Sequence, residues 1–153
     1  MAQAEPWSGP LVELYRERHQ PMVRLAYLLT GDRGAAEELV QDAFISVHRS
    51  WGRVSQPSAY LRVAVVNACR SWGRRRVLER ERRPASAEHA FLVADEMWDL
   101  LQGLPERQRA AIVLRFYEDL PDREIAAVLG CREATVRTAV FRGLAALRKE
   151  VTQ

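Results

Sequence analysis

The sequence predicts an all-α protein made of two small helical domains joined by a flexible linker. Apolar residues recur at helical spacing through most of the 153 residues, and no segment alternates between apolar and polar residues as a strand would. One stretch, residues 77–93, largely loses the apolar stripe and contains Pro, Ala and Ser instead. We therefore expect an N-terminal domain at residues 1–76, a linker at 77–93 and a C-terminal domain at 94–153.

Three helices are predicted in the N-terminal domain, which we expect to be a three- to four-helix bundle. The first spans residues 11–30 and is bent or broken near Pro21, and the turn "GDRG" separates it from a second helix at 35–51. After the loop "GRVSQPS", a third helix spans 57–76, with Pro57 in its first turn, where proline is tolerated. The apolar stripes of the last two helices contain Leu39, Val40, Ala43, Phe44, Val47 and Trp51, and Leu61, Ala64, Val65, Ala68 and Trp72.

A helix-turn-helix is predicted near the end of the C-terminal domain, after helices at about 94–103 and 105–118. In "EIAAVLGCREATVRTAVFRG", Ile125 and Leu129 lie on the inner face of a two-turn helix that ends at Gly130. Val136 and Val140 begin the inner stripe of a longer helix. Two helices joined by so short a turn cross closely, as they do in DNA-binding domains.

The outward side of the longer helix carries the chemistry expected of a DNA reader. Arginine can form forked bonds with guanine or phosphate, threonine can bond phosphate or touch a thymine methyl, and phenylalanine can contact bases. A helical hairpin with a merely solvated basic face is the alternative for this stretch alone. The candidate DNA-binding residues are Thr135, Arg137, Thr138, Phe141 and Arg142.

The net charge is only +3, but the charges are distributed unevenly along the chain. Of the 23 cations, 22 are Arg. Residues 70–83 contain seven Arg and two Glu, and residues 134–149 contain four cations and no acid. Residues 32–42, by contrast, contain four acids and one Arg. Two basic zones and one acidic zone suit contacts with nucleic acid and with a second partner.

Several function classes are disfavoured by the composition. Cys69 and Cys131 are far apart and the three histidines are scattered, so we expect no metal site, no disulfide and no cofactor. No phosphate-binding glycine loop appears, so we expect no enzymatic activity. Neither a signal peptide nor an apolar run of about 20 residues is present, so we expect a cytoplasmic protein without membrane insertion.

Two blocks of this sequence together resemble a known family. "GDRGAAEELVQDAFISVHRSW" and "PSAYLRVAVVNACRSWGRRR" resemble region 2 of bacterial sigma factors. "LPERQRAAIVLRFYEDLPDREIAAVLGCREATVRTAVFRGLAALRKE" resembles their region 4. With these two regions and little else, the chain looks like the extracytoplasmic function (ECF) subfamily, of an actinobacterial type, over residues 11–151.

The resemblance implies a non-catalytic subunit that binds core RNA polymerase and promoter DNA and helps to open the duplex. The usual restraint in the family is an anti-sigma factor, and the sequence alone leaves its existence here open. In the family, the outer face of the second helix docks on the largest polymerase subunit, and an isoleucine on an acid-rich stripe suits a partner surface. The candidate polymerase-binding residues are Glu38, Gln41, Asp42 and Ile45.

The resemblance also implies that the two domains contact different promoter elements. The longer helix of the helix-turn-helix would contact the minus-thirty-five element, and the N-terminal domain would contact the minus-ten element. Cations near aromatic rings suit single-stranded DNA, because cations follow the backbone while rings stack on bases. The candidate residues for the minus-ten element are Tyr60, Arg62, Asn67, Arg70, Arg74, Arg75 and Arg76. Arg132, Ala139, Phe141 and Ser71 depart from common family residues, so they bear on promoter sequence.

Two other function classes compete with a sigma factor. A helix-turn-helix repressor or activator would bind DNA without ever binding polymerase, but it would not need the region 2-like block. An adaptor built from helical hairpins would bind no DNA, but two separate basic faces disfavour it. Retention of the protein by core polymerase separates a sigma factor from the repressor or activator. An electrophoretic shift with promoter DNA and holoenzyme separates it from the adaptor.

Overall fold

The computed structural model describes residues 9–80 and 92–151, and the side chains of residues 9–76 and 96–151. The helices in these ranges are α1 (Gly9–Thr30), α2 (Arg33–Arg49), α3 (Pro57–Arg80), α4 (Leu92–Leu101), α5 (Glu106–Ile112), α6 (Asp122–Leu129) and α7 (Glu133–Val151), with a 3₁₀ turn at Trp51–Arg53 and a π-helical turn at Val113–Tyr117. The described ranges contain no strand, so the all-α class is confirmed. None of the helices in them is long and apolar enough to cross a membrane.

Helices α1, α2 and α3 pack against one another as a bundle around an apolar core. Phe44, Leu61 and Val65 are almost completely buried, as the helical stripes predict, and so is Leu25 of α1. Asp32 begins α2 by accepting a hydrogen bond from the Ala35 backbone N–H at 2.9 Å. One residue of the acidic zone therefore caps a helix and satisfies a backbone donor that the helix leaves free.

Of the two outcomes expected at Pro21, a bend or a break, the break is wrong, because α1 is helical without interruption from Gly9 to Thr30. A proline inside a helix removes a backbone hydrogen bond and costs about 3 kcal/mol. The residues that follow it, including Met22 and Leu25, are fully buried against the other helices. Burial of each such side chain contributes about 1.5–3 kcal/mol, which offsets the cost of the proline.

Helical structure extends into both ends of the predicted linker. Helix α3 continues to Arg80, beyond the expected end at residue 76, and α4 begins at Leu92. The rest of the linker, residues 81–91, lies outside the described residues, as do residues 1–8, 152 and 153.

The helix-turn-helix consists of α6 and α7. Gly130 ends α6 in the left-handed conformation, with φ +67°, and its N–H bonds back to the Ala126 carbonyl. Val136 and Val140 of α7 are buried, as the periodicity predicts. Gly143 allows α7 to approach α5 closely, because a Cβ at this position would overlap the side chain of Ile112.

A π-helical turn follows α5, where the sequence predicts one helix to residue 118. The Glu118 N–H donates to the Val113 carbonyl at 3.2 Å, five residues back instead of four. Phe116 in this turn is 60% exposed. Wide turns of this kind are frequent at functional positions in helices.

The two domains pack directly on each other. Helix α4 and the π-helical turn lie against α1, and α6 lies against α3. At the turn after α1, the Trp98 ring covers Gly31, whose φ is +70°. Arg109 lies 5.0 Å from the centre of that ring and also donates to the Leu29 carbonyl at 3.2 Å.

Candidate DNA and polymerase interfaces

The five residues predicted to read the minus-thirty-five element lie together on the outer side of α7. Arg137, Thr138, Phe141 and Arg142 are exposed, and Thr135 is half-buried. The Phe141 ring is 75% exposed, which leaves a large apolar surface in solvent. These five residues are called the recognition face below.

A cleft of about 360 Å³ runs between the recognition face and the start of α5. Arg107 and Gln108 were not expected at a site, yet they line this cleft together with Pro105, Ala134, Thr135, Thr138, Ala139 and Arg142. Arg107 and Gln108 lie at the cleft because α5 packs closely against α7. The helical periodicity of the sequence does not predict this packing. The only signal in the sequence is Gly143 on the inner side of α7.

The residues in and just before α7 that depart from common family residues differ in exposure. Arg132 and Phe141 are exposed, whereas Ala139 is 6% exposed. The Arg132 carbonyl accepts the Val136 N–H at 3.1 Å, and Glu133 lies in the first turn of α7. A carboxylate in that turn stabilises the positive end of the helix dipole, where a serine cap is absent.

The residues predicted to contact the minus-ten element do not all lie on one free surface. Asn67, Arg74 and Arg75 are exposed, and Arg76 is half-buried. Arg76 lies over the ring of Trp72, 5.7 Å from its centre, and Trp72 itself is only half-buried. Trp51, which was also expected in the core, packs against it while partly buried.

Arg62 and Arg70 face the C-terminal domain. Nε of Arg62 lies 3.4 Å from a carboxylate oxygen of Glu118. Arg70 pairs with the Glu106 carboxylate and donates to the Leu129 carbonyl at 3.3 Å. The structure therefore places two of the seven predicted minus-ten residues in an interdomain contact.

Tyr60 links α3 to the end of α2. Its hydroxyl lies 3.3 Å from the Ser46 hydroxyl and 3.4 Å from the Ser50 hydroxyl. These hydrogen bonds, that of Ser46 first, lower the pKa of Tyr60. The side chain is 37% exposed, so the ring lies at the surface beside the "GRVSQPS" loop. The two hydrogen bonds of the hydroxyl hold the ring in this position.

The predicted polymerase-binding residues lie on the outer side of α2. Glu38, Gln41 and Asp42 are exposed, and Ile45 is half-buried. The opposite side of α2 is buried in the bundle, with Val40 among its residues. Glu38, Gln41, Asp42 and Ile45 are called the docking face below.

The described residues were also searched for metal-binding groups and for reactive thiols. Within residues 9–80 and 92–151, no group of three or more His, Cys, Asp or Glu side chains could hold a metal ion. Burial raises the pKa of the Cys69 thiol to about 12. Cys69 is therefore a protonated core side chain at neutral pH.

A helix-turn-helix beside an arginine-rich helix defines a helical DNA-binding protein. Residues 14–78 match the Sigma-70 region 2 family, and residues 94–147 match the Sigma-70 region 4 family. The chain is 32% identical over 151 residues to the RNA polymerase sigma-E factor of Streptomyces avermitilis, covering 91% of this chain and 83% of that protein. It is 31% identical over 154 residues to the ECF RNA polymerase sigma factor SigM of Mycobacterium tuberculosis, covering 90% of this chain and 74% of that protein.

Solved structures have the same fold. The sigma factor RpoE, solved in complex with the anti-sigma factor NepR from Bartonella quintana, has a TM-score of 0.72 and 22% identity and covers 92% of this chain and 97% of that one. CnrH, solved with the cytosolic domain of CnrY, has a TM-score of 0.72 and 21% identity. The match covers 93% of this chain and 87% of CnrH. The chain belongs to the ECF subfamily of RNA polymerase sigma factors and is a promoter-specific transcription initiation factor.

Proposed function

We propose that this sigma factor binds core polymerase through the docking face of α2 and reads promoters through α7 and α3. The observation that carries this assignment is the outward placement of the docking face on α2 and of the recognition face on α7, each opposite a buried apolar stripe. The protein acts without chemistry of its own, as the specificity subunit of a polymerase that performs catalysis. We assign it to the cytoplasm, where bacterial transcription takes place.

The minus-thirty-five element is assigned to the recognition face on α7. Val136 and Val140 hold the helix against its own domain, so the polar and aromatic residues on the other side are available to the major groove. Arg107 and Arg142 on either side of the cleft can neutralise neighbouring phosphates. Phosphate contacts position the helix, and contacts with base edges select the sequence.

The minus-ten element is assigned to α3 and to the loop before it. Asn67 and the exposed arginines near the end of the helix can follow a separated strand, while Tyr60 offers a ring to an unpaired base. Arg62 and Arg70 belong to the same surface but are engaged by the C-terminal domain in this structure. Promoter opening therefore requires these two arginines to exchange partners.

An anti-sigma factor is included among the proposed partners. RpoE was solved in complex with the anti-sigma factor NepR, and CnrH in complex with the cytosolic domain of CnrY. A protein that covered the docking face would compete with polymerase for the same residues. Such a partner would lower transcription without unfolding the sigma factor.

The proposed function is tested by run-off transcription with core polymerase and fragmented genomic DNA. A sigma factor produces discrete transcripts that depend on its addition, and the transcripts define the promoter. A DNA-binding repressor would bind fragments without being retained by core polymerase. Failure of core polymerase to retain the protein contradicts the sigma assignment.

Arg137→Ala tests the recognition face. The loss of one forked contact with a base edge costs about 1–3 kcal/mol, so we expect promoter-dependent transcription to fall by about tenfold or more. Binding to core polymerase, measured by competition with a labelled sigma factor, is expected to stay at the wild-type level. Equal loss of both activities would contradict the division of roles between α7 and α2.

Asp42→Arg tests the docking face and serves as the matched control for Arg137→Ala. Charge reversal at an interface replaces an attraction with a repulsion, and we expect core affinity to fall by at least about tenfold. Binding of the isolated protein to duplex promoter DNA should not weaken, because Asp42 lies on a different helix from the recognition face. Unchanged core affinity would remove Asp42 from the interface.

A further inference from the structure

Three hydroxyl groups meet where α2 ends and α3 begins. The Tyr60 hydroxyl lies 3.3 Å from that of Ser46, in the last turn of α2, and 3.4 Å from that of Ser50, directly after the helix. The two serines are four residues apart, so they lie on the same side of the helix. Neither serine is among the site residues predicted from the sequence. Ser46, Ser50 and Tyr60 are called the hydroxyl cluster below.

The hydroxyl cluster closes the neck of the loop that precedes α3. At one end the Arg53 N–H donates to the Ser50 carbonyl at 2.9 Å, and at the other end the Tyr60 N–H donates to the Gln56 carbonyl at 3.0 Å. The cluster joins these two ends, because the hydroxyls of Ser50 and Tyr60 meet across the loop. The tip of the loop therefore faces solvent while its ends are tied together. The exposed loop residues are Gly52, Arg53, Ser55 and Gln56.

The hydroxyl cluster fixes the direction of the Tyr60 ring. A tyrosine hydroxyl donates one hydrogen bond and accepts others, so one serine can donate to it while it donates to the second. These bonds hold the far end of the side chain, which opposes rotation about the Cα–Cβ bond. The hydrogen bonds of Ser46 and then Ser50 lower the pKa of Tyr60, and the charge of Arg53 also lowers it. A cation therefore lies near a ring of fixed direction, a combination that suits single-stranded DNA.

The stability of the bundle depends little on the hydroxyl cluster. Both of its hydrogen bonds are exposed, so water can replace them at small cost. Buried side chains such as Phe44, Leu61 and Val65 hold α2 and α3 in the bundle instead. The placement of the ring therefore accounts for the cluster better than stabilisation of the fold does.

We propose that Ser46 and Ser50 are positioning residues for promoter opening, which hold the Tyr60 ring where it stacks on an unpaired base of the minus-ten element. The proposal rests on the proposed function for the role of Tyr60. A ring that is already held in its bound direction loses less freedom when the base arrives, so the opened strand is bound more tightly. The two serines act through the ring and need no contact with DNA.

Tyr60→Phe in the holoenzyme tests this role, because it removes the hydroxyl and keeps the ring. On a promoter mapped by run-off transcription, permanganate reactivity of unpaired thymines measures the open fraction, at a temperature where wild-type complexes are partly open. We expect the equilibrium constant for opening to fall about three- to tenfold, as the loss of one or two neutral hydrogen bonds implies. Tyr15→Phe is the matched control, since Tyr15 is 40% exposed and Tyr60 is 37% exposed. The control is expected to stay within about twofold of the wild type.

The double variant Ser46→Ala, Ser50→Ala removes the same hydrogen bonds from the other side. It should lower opening to the same extent as Tyr60→Phe, and the combination of all three changes should cause no further loss. Core affinity, measured by competition with a labelled sigma factor, and thermal unfolding are expected to stay at the wild-type level. A merely structural role would instead lower stability and core affinity together with opening.

The proposal is overturned if Tyr60→Phe opens promoters as well as the wild type does, even where Tyr60→Ala abolishes opening, because the ring would then act without the serines. Additive losses from the serine and tyrosine changes would also overturn it, as would a loss of core affinity in the serine variant. Wild-type transcription with no opening defect in any variant contradicts the positioning role alone. Absence of wild-type transcription contradicts the proposed function instead.

Discussion

Gly31→Ala would place a methyl group where the C-terminal domain contacts the turn after α1. A Cβ on Gly31 would overlap Cε2 and Cζ2 of Trp98 and lie 2.7 Å from its Nε1. These are atoms of a rigid ring, so the whole ring must move. The substitution also forces alanine to adopt φ +70°, which costs about 1–2 kcal/mol.

The displacement of Trp98 adds a second cost to the backbone strain. The ring would lose its contact with Gly31 and its cation–π contact with Arg109, whose guanidinium carbon lies 5.0 Å from the ring centre. Such a contact contributes about 0.5–1 kcal/mol at a partly exposed site. We therefore expect a total destabilisation of about 1.5–3 kcal/mol, equivalent to a fall in Tm of about 3–12 °C.

A double-mutant cycle with Trp98→Ala measures the steric part by itself. In the Trp98→Ala background the methyl group meets no ring, so Gly31→Ala should cost only the backbone strain. Gly130→Ala is a matched control for that strain, because Gly130 has φ +67° and an added Cβ would meet no atom within 4 Å. Chemical denaturation supplies the free energies. Equal costs of Gly31→Ala in both backgrounds would refute the placement of Trp98 on Gly31.

Two further predictions concern the cysteines. A thiol reagent at pH 8 should label half-buried Cys131 quickly and Cys69 only after unfolding. Mass spectrometry of the labelled peptides checks this order. Prompt labelling of Cys69 would contradict its burial. Burial raises the pKa of the Cys69 thiol from 9.0 to about 12. The stability contributed by this neutral buried thiol is therefore full below pH 9 and is lost between pH 9 and 12, by up to about 1.4 kcal/mol per pH unit. Cys69→Ala should reduce that fall in denaturation curves; an unchanged slope would refute the assignment to this thiol.

Local features of the sequence predict most of the helices and the helix-turn-helix. Gly130 marks the end of α6, and Val136 and Val140 mark the inner side of α7, because helical periodicity depends only on neighbouring residues. The exposure of the recognition face follows from the same pattern. The roles assigned to these residues in DNA binding remain predictions.

Long-range packing accounts for what the sequence did not predict. Pro21 remains within α1 because the residues after it are buried by α2 and α3, which no local rule includes. Arg107 reaches the recognition face only because α5 crosses α7 at Gly143. Arg62 and Glu118 are 56 residues apart in the chain, so no pattern of spacing indicates their contact.

The π-helical turn sets the direction in which Glu118 points. Each residue of an α-helix rotates its side chain by about 100° around the axis, and the wide turn accommodates one residue more than an α-helical turn would. If the same residues formed an α-helical turn instead, Glu118 would lie about 100° further around the axis. It would then point away from Arg18 and Arg62, the two arginines that it contacts. The width of this one turn therefore decides whether a single carboxylate of the C-terminal domain reaches two arginines of the N-terminal domain.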